Sequence, residues 1–390
     1  MKKRGWIVFA SAVAVLAIFI FMILINYRHS IYLQSAVEGG DYLVRMTKPD
    51  GRYVYRYDPE RDEELDGYNI LRHAGTTYSL LELYKATGNE IYLRTADRAL
   101  RYLIKHVVTC PDREEYRCVQ ERNEIKLGGN GLGLLALSKY VELTGDEEML
   151  MEAQRLAGWI KATQNEEGEF PIHKMNLLGE ANDFTSGYYP GEAIFALTRL
   201  YELDQNEEWM DVAHKGALWL IEVRDGEKTI NELEHDHWLL YGLNELYQHQ
   251  EDERYVEHAE KIVEAISAIQ HRGLIGEKAN WNGGFYDPPR STPTATRSEG
   301  LIASYKLFTW AQRTDLAEKA FSVLEDAIAF ELSTQVTPVS RQRLSISSRS
   351  LGGFYKGIGA YEIRIDYVQH NISALLGYDS ILEERNMLNR

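Results

Sequence analysis

Near its C-terminus the sequence places an aspartate and a histidine at a spacing that suits proton transfer. Asp366 and His370 are four residues apart, so on a helix their side chains would share one face, with Tyr367 beside them. A carboxylate next to an imidazole could hold a proton donor in position for chemistry. The same pair could equally form a structural bond between the last and first parts of the fold. The spacing alone does not choose between these two roles.

A second group of ionisable residues, Glu234, His235, Asp236 and His237, comes directly before Trp238. Two imidazoles and two carboxylates could bind a metal ion, although histidines two residues apart do not share one face of a helix. A cluster that caps the following helix is the simpler interpretation, and we predict no metal and no other cofactor. As a function we favour polar recognition of a sugar and acid–base chemistry on it.

Helices must position these groups, and an internal repeat predicts where the helices lie. Each unit has an apolar first helix, a short turn and a more charged second helix. The turns contain Asn89, Asp146, Asn206 and Asp252, side chains that can cap the helix that follows. An alanine follows each of them by seven residues: Ala96, Ala153, Ala213 and Ala259. A small residue at a fixed helical position suits close contact between helices.

The repeat predicts six first helices. They begin near Ala74, Gly131, Gly191, His237, Gly300 and Asp366. Because they are apolar nearly all round, they should form an inner ring, with amphipathic second helices around it. The partner of the sixth helix would be short or missing at the C-terminus. A rod of helical repeats is the alternative, but such rods have regular periods and this spacing is unequal.

Two stretches, residues 72–88 and 187–193, look like inner helices of a known superfamily. With the repeat over about residues 68–380, the chain resembles the six-hairpin, (α/α)6-toroid glycosidase-like superfamily. The resemblance implies an all-α toroid and an activity such as glycoside hydrolysis, unsaturated uronyl hydrolysis, polysaccharide lysis or sugar epimerisation. The chain has no complete catalytic motif of one subfamily. It also lacks the Asp-rich motif of terpene-cyclase toroids and the Cys-Cys-His zinc set of lanthionine-cyclase toroids.

In such a ring, the loops before the inner helices meet at one face, where helix N-termini favour anions. We therefore predict a cleft at that face that binds or processes a carbohydrate. The candidate catalytic residues are Asp236, Asp366, Glu192, Glu299 and His370. The candidate substrate-binding residues are Arg72, His73, Tyr188, His237, Trp281, Arg297 and Tyr367. Any single acidic residue among them could instead be a helix cap.

The reaction stays open at this level. Hydrolysis would need two carboxylates that flank the scissile bond. If the glycan is acidic, Arg72 and Arg297 could hold a uronate, and a lyase or epimerase mechanism through Tyr and His is favoured. The alternative is a non-catalytic carbohydrate-binding or envelope scaffold protein. The Gly- and Pro-rich loop 280–289, which contains Trp281, either overhangs the cleft and stacks on a sugar or is a packed surface loop.

The chain as a whole is acidic, with a formal net charge of −16. Such a surface would repel the phosphate backbone of nucleic acids, so we exclude nucleic acid as a partner. Hydrophobic residues make up 44% of the chain, which is enough to build a substantial core.

The N-terminus carries a basic cluster, Lys2, Lys3 and Arg4, before a long apolar run. We predict a cytoplasmic tail (1–5), a transmembrane anchor (6–26), a connector with a short extended segment (27–67) and the toroid domain (68–390). The positive charges place the N-terminus in the cytoplasm and the main domain outside it. A cleaved signal peptide is the competing interpretation, but the run ends without a small-x-small cleavage site.

The sequence has two cysteines, Cys110 and Cys118, which flank a polar stretch. Outside the cytoplasm an oxidised pair could close this loop, so we predict a disulfide. Two unlinked thiols are the alternative.

Overall fold

The computed structural model describes residues 30–388, and the predicted tail and anchor, 1–5 and 6–26, lie outside this part. Helices dominate it. In chain order they are α1 (Ile31–Arg45), α2 (Ile70–Thr87), α3 (Glu90–Ile104), α4 (Leu127–Thr144), α5 (Glu147–Thr163), α6 (Tyr189–Asp204), α7 (Glu207–Trp219), α8 (His237–His249), α9 (Glu253–Ile269), α10 (Ser291–Trp310), α11 (Thr314–Ser333), α12 (Pro338–Leu344) and α13 (Ile365–Leu388).

Six of these helices, α2, α4, α6, α8, α10 and α13, form a closed inner ring. Each packs against the next, and α13 returns to pack against α2. The outer helices α3, α5, α7, α9 and α11 each follow an inner helix and pack outside the ring. The predicted six-hairpin toroid is therefore the observed architecture, and a rod is ruled out because its ends would not meet.

The turns between inner and outer helices form as their residue types predict. The side chains of Asn89, Asp146, Asn206 and Asp252 all accept hydrogen bonds from backbone N–H groups in the first turn of the helix that follows. The alanines seven residues later are fully buried: Ala96, Ala153, Ala213 and Ala259. Capping and close helix contact together explain why this pattern recurs in the sequence.

The inner helix α10 begins at Ser291, well before the position expected near Gly300. Its first turn is polar, so periodicity of apolar residues did not mark it. Ser291 and Thr294 are nevertheless fully buried, because Ser291 Oγ accepts a hydrogen bond from Asn371 Nδ2 at 2.8 Å and lies 3.1 Å from Thr334 Oγ1. Residues distant in sequence thus provide hydrogen-bond partners for the polar first turn of α10, which has no apolar periodicity to mark it as helical.

The first described helix, α1, differs from expectation. Residues 27–67 were predicted as a connector, but α1 packs along α13 as its outer partner. Ser30 Oγ donates to Asp379 Oδ1, and the rings of Tyr32 and Tyr378 are 4.7 Å apart, so α1 runs antiparallel to α13. The prediction that the sixth hairpin lacks a full partner is wrong. Its partner comes from the opposite end of the chain.

Two small antiparallel sheets accompany the ring. Their strands are β1 (Arg56–Asp58), β2 (Glu63–Leu65), β3 (Val107–Thr109), β4 (Arg117–Glu121), β5 (Glu124–Lys126), β6 (Lys174–Asn176), β7 (Tyr355–Gly357) and β8 (Ala360–Arg364). One sheet has the order β2-β1-β8-β7, and the other has the order β3-β4-β5-β6. Since β8 leads directly into α13, its pairing with β1 ties the two ends of the toroid together. The short extended segment expected within residues 27–67 includes the strand β1, which begins at Arg56.

Cys110 and Cys118 form a disulfide, as predicted. The bond lies beside β3 and β4, and both sulfurs are buried. Asn130 on α4 supports this corner, because its Oδ1 accepts the Val119 N–H at 2.7 Å. Within residues 30–388, none of the helices has the combination of length and apolar character that a membrane span requires.

Candidate active site

A cavity of about 320 Å³ lies at the end of the ring where the inner helices begin. First turns of α2, α6, α8, α10 and α13 contribute to its wall. Seven of the twelve residues predicted for catalysis or substrate binding line it: Arg72, Tyr188, Glu192, His237, Arg297, Asp366 and His370. The convergence follows from the ring, since equivalent helix starts in a closed ring lie at the same end.

Two imidazoles on the cavity wall lie beside the same carboxylate group. His370 Nδ1 lies 2.6 Å from Glu299 Oε2, and His237 Nε2 lies 3.8 Å from the same oxygen. The two imidazole rings are 5.3 Å apart between centroids. Glu299 itself is behind the wall, and burial raises its pKa to about 7, while the neighbouring His370 opposes the rise. Its protonation can therefore change near neutral pH.

His237 is buried and neutral. Burial lowers its pKa well below the usual value, and His370 and Arg297 lower it further. Among the described residues, neither of its ring nitrogens has a hydrogen-bond partner. An unpartnered buried imidazole on a cavity wall leaves both a donor and an acceptor for a ligand.

Glu192 is the carboxyl group of the cavity that has no cation beside it. Burial raises its pKa well above the usual value, with a further rise from Asp236, so the surroundings favour the protonated form. Its Oε2 has no hydrogen-bond partner within residues 30–388. A Cβ on Gly128 would lie 2.2 Å from that oxygen, so the glycine lets α4 approach close enough to cover the carboxyl group.

Asp366 is held between two arginines. Arg364 donates to both of its oxygens, at 2.5 and 2.9 Å, and Arg72 Nε lies 3.2 Å from Oδ2. His370 does not pair with Asp366 but with Glu299 on α10. The pair of Asp366 and His370 on which both predicted roles depended is therefore not formed. Asp366 instead bonds to Arg72 and so joins the last inner helix to the first.

Arg297 has no carboxylate partner among the described residues. Its Nε donates to His235 Nδ1 at 3.0 Å, and its Nη1 donates to the carbonyl oxygen of Pro293 at 2.8 Å. The guanidinium lies over the rings of Phe285 and Tyr286, at 5.0 and 5.3 Å from their centroids. Burial lowers the pKa of this arginine, but a guanidinium stays charged.

Asp236 lies behind the cavity wall rather than on it. It is the N-cap of α8, where its Oδ1 accepts the Leu239 N–H at 3.2 Å. Burial raises its pKa to about 7, and Arg224, 3.9 Å away, opposes the rise. This is the capping role that the sequence offered as the simpler interpretation. The predicted catalytic role of Asp236 stays a prediction without a cavity position to support it.

Three further predicted residues also lie away from the cavity. His73 is fully buried between α2 and α3, where its ring nitrogens contact Tyr68 Oη and the carbonyl oxygen of Ala99, each at 2.7 Å. The ring of Trp281 packs under Lys278 Nζ, and that of Tyr367 packs under the guanidinium of Arg364. Because none of the three lines the cavity, the structure does not support their predicted roles in substrate binding.

The loop that contains Trp281 does reach the cavity, but through Tyr286. This residue is half-exposed and has a φ of +78°, a left-handed conformation that is unusual for a residue with a side chain. Such strain is maintained at sites where a side chain must point in a particular direction.

Within residues 30–388, one group of side chains has the composition of a metal site. It consists of His237, Glu299 and His370, whose possible ligand atoms all lie within 4.8 Å of one another. Two protein ligands on one tetrahedral zinc are separated by roughly 3.3 Å, given zinc–ligand distances of about 2.0–2.2 Å. The 2.6 Å separation of His370 Nδ1 and Glu299 Oε2 is that of a direct hydrogen bond. The geometry therefore favours a proton-sharing pair over a metal site.

Solved structures share this architecture. A D-mannose isomerase superposes with a TM-score of 0.69 at 12% identity, covering 92% of this chain and 100% of the other. A cellobiose 2-epimerase from Bacillus thermoamylovorans gives 0.67 at 14% identity, covering 87% and 95%. An unsaturated glucuronyl hydrolase specific for heparin gives 0.61 at 14% identity, covering 90% and 98%. This chain shares the six-hairpin toroid fold of these solved structures.

No protein-family model and no curated protein matches the sequence. The superpositions show a shared toroid fold. At sequence identities of 12 and 14%, they do not show a shared reaction.

The sequence did not identify several residues that line the cavity, among them Leu71, Tyr189 and Trp238. Each is adjacent in sequence to a residue that was predicted, so its position at the start of an inner helix was a usable signal. Tyr286 could have been found only from the path of its loop.

Proposed function

We propose that the toroid is an enzyme that binds a sugar in this cavity and moves a proton on it, as an isomerase or epimerase does. The observation that supports this most directly is the pair His237 and His370, linked through Glu299. A neutral imidazole can accept a proton from one carbon of a sugar, and the imidazolium so formed can return that proton to a neighbouring carbon, while a second, neutral imidazole hydrogen-bonds to the sugar. Both lie on the cavity wall, where a small sugar would contact them.

The solved structures with this fold are compatible with that reaction. They include a D-mannose isomerase and a cellobiose 2-epimerase, as well as a hydrolase. The choice among these reactions for this chain rests on its own residues.

Hydrolysis is the second candidate, and Glu192 is the observation that favours it. A carboxyl group kept protonated by burial suits a general acid. A hydrolase of the usual kind needs a second, ionised carboxylate as base or nucleophile. Asp366 is the other carboxyl group on the cavity wall, but two guanidinium groups occupy its oxygens. For this reason we rank proton transfer first.

The proposal is tested by incubating the full-length protein with a panel of reducing sugars and glycans in heavy water. We expect deuterium to appear at one sugar carbon, together with a new isomer, by mass spectrometry and NMR. His237→Asn and His370→Asn should lose the exchange, whereas His249→Gln, which changes a histidine remote from the cavity, should keep it. Release of shorter sugars without exchange would favour the hydrolase instead. Binding without any product would favour a carbohydrate-binding or scaffold protein.

We also propose that the toroid is anchored to a membrane by residues 6–26 and lies outside the cytoplasm. The basic cluster before the apolar run supports this orientation. The Cys110–Cys118 disulfide is compatible with it, since such bonds persist in oxidising compartments.

A further inference from the structure

We propose that the sugar bound in this cavity carries a carboxylate group, as a hexuronate does, and that Arg297 binds that carboxylate. The inference rests on the proposed function in that it assumes a sugar ligand, but it does not depend on which reaction follows. The substrate class follows from the positive charge of Arg297, which has no carboxylate partner within residues 30–388.

Arg297 is buried, and it differs in its partners from three arginines that are only partly buried. Arg199 pairs with Glu142 and Glu245, Arg224 pairs with Asp225, and Arg364 pairs with Asp366. Arg297 has only neutral acceptors, His235 and Pro293, within residues 30–388. A buried charge without a counter-charge costs free energy, so an anion from the ligand would stabilise it.

The rest of the cavity offers no carboxylate to pair with Arg297. Asp366 is already shared by Arg72 and Arg364. Burial raises the pKa of Glu192 and so favours its neutral form, and its Oε2 has no hydrogen-bond partner within residues 30–388. Arg297 therefore lacks a counter-charge among the residues that line the cavity, although the chain as a whole carries −16.

The guanidinium of Arg297 is held in one orientation. Phe285 and Tyr286 lie along its face, and its contacts with His235 and Pro293 fix its plane. A guanidinium has five N–H donors, so donors remain after these two bonds. A planar carboxylate can accept two parallel hydrogen bonds from such a group, which matches a hexuronate better than a neutral sugar.

The test compares three probes of similar size by calorimetry with the full-length protein: methyl β-D-glucuronide, methyl β-D-glucoside and glucose 6-phosphate. We expect the glucuronide to bind at least ~10-fold more tightly than the glucoside, since hydrogen bonds to charged groups are stronger than neutral ones. Equal binding of glucuronide and glucoside would overturn the inference, as would binding of none of the three. Preference for the phosphate would overturn the carboxylate assignment and leave a general anion site.

Variants of Arg297 separate binding from folding. Arg297→Gln should weaken glucuronide binding by ~10- to 100-fold, leave glucoside binding unchanged, and leave the melting temperature equal or raised, because a buried unpaired charge is removed. Arg297→Lys should restore part of the glucuronide affinity. Arg254→Gln, which alters an arginine paired with Asp252 and Glu222 away from the cavity, should match the unaltered protein in binding. A lowered melting temperature with equal loss of both ligands would identify Arg297 as structural and contradict the inference.

The two proposals fail in different ways. If the glucuronide binds but no deuterium enters any sugar, proton transfer is wrong and the carboxylate site stands. If neutral sugars are exchanged and the glucuronide is not bound preferentially, proton transfer stands and the carboxylate site is wrong.

Discussion

Glu299 lies beside both cavity imidazoles, although it does not line the cavity itself. Its carboxylate accepts from His370 Nδ1 in one protonation state and lies within 4 Å of His237. Because burial raises its pKa to about 7, it changes charge where an enzyme operates. An ionised Glu299 places a negative charge beside His370, which would stabilise positive charge that develops on this imidazole during proton transfer. The reaction should therefore accelerate as pH rises through about 7, the pKa of Glu299.

Glu299→Gln should therefore lower kcat by ~100-fold or more, with little change in KM, because the amide cannot supply the negative charge behind His370. The limb of the pH–rate profile near pH 7 should disappear in this variant. Steady-state kinetics between pH 5 and 9 would measure both effects. Glu331→Gln, which changes a buried glutamate of α11 bound to Ser298, is the matched control and should keep its kcat. An unaltered profile in Glu299→Gln would contradict the role assigned to Glu299.

Asp236 predicts a dependence of stability on pH. Its pKa is raised from 3.8 to about 7 in the folded protein, so between these values the folded state keeps a proton that the unfolded state has lost. The contribution of Asp236 to stability therefore falls as pH rises from about 4 to 7. Asp236→Asn mimics the protonated acid. Its stability relative to the unaltered protein should increase over that window, by at most about 4 kcal/mol.

Thermal or urea unfolding of both proteins at pH 4.5 and pH 8 measures this difference. A constant difference between the two proteins at all pH values would show that Asp236 is ionised throughout.

At the scale of elements, the inner helices bring the site together and the outer helices hold the inner ones. Repeated caps and small residues let each hairpin form from local sequence. The exception is the sixth hairpin, whose two helices α1 and α13 are separated by almost the whole chain. Its stability must come from contacts rather than from a turn.

Gly40 on α1 tests this arrangement. A Cβ at this position would lie 2.1 Å from Leu83 Cδ2 and 3.0 Å from Tyr92 Cε1, so α1 packs directly on α2 and α3. Gly40→Val should destabilise the protein by about 1–3 kcal/mol through overpacking. Gln34→Ala, an exposed change on the same helix, should stay within about 0.5 kcal/mol. Urea unfolding would measure both, and equal stabilities would indicate that α1 is a loosely attached connector after all.

At the scale of the whole molecule, α1 links the toroid to the segment that precedes it. Because α1 runs antiparallel to α13, Ser30 lies near the far end of α13, away from the cavity. If residues 6–26 cross a membrane, the chain enters the toroid at the face opposite the cavity. The cavity would then open away from the lipid surface.

The proposed topology predicts the behaviour of a reporter fused after Arg390. It should be active outside the cytoplasm and silent inside, because the basic residues Lys2, Lys3 and Arg4 stay in the cytoplasm. Non-reducing mass spectrometry of protein from membranes should also show the peptides of Cys110 and Cys118 linked. Cytoplasmic reporter activity together with freely alkylated thiols would overturn the topology.

The sequence by itself determined the hairpins, their turns and the end of the ring where ionisable residues collect. These features are local: Asp146 caps the helix that begins next to it, and helical periodicity shows which helices must be buried on all sides. Asp236 illustrates the limit of local reasoning, because a cap and a catalyst have the same sequence signature.

Only the tertiary structure decided which acid pairs with which base. Asp366 and His370 share a helix, yet His370 bonds to Glu299, 71 residues away in sequence, because α10 and α13 are neighbours in the ring. In the same way, α1 became a structural helix because ring closure brought it against α13. The missing partner of Arg297 could be recognised only in three dimensions, because a sequence does not show which charges burial leaves unpaired.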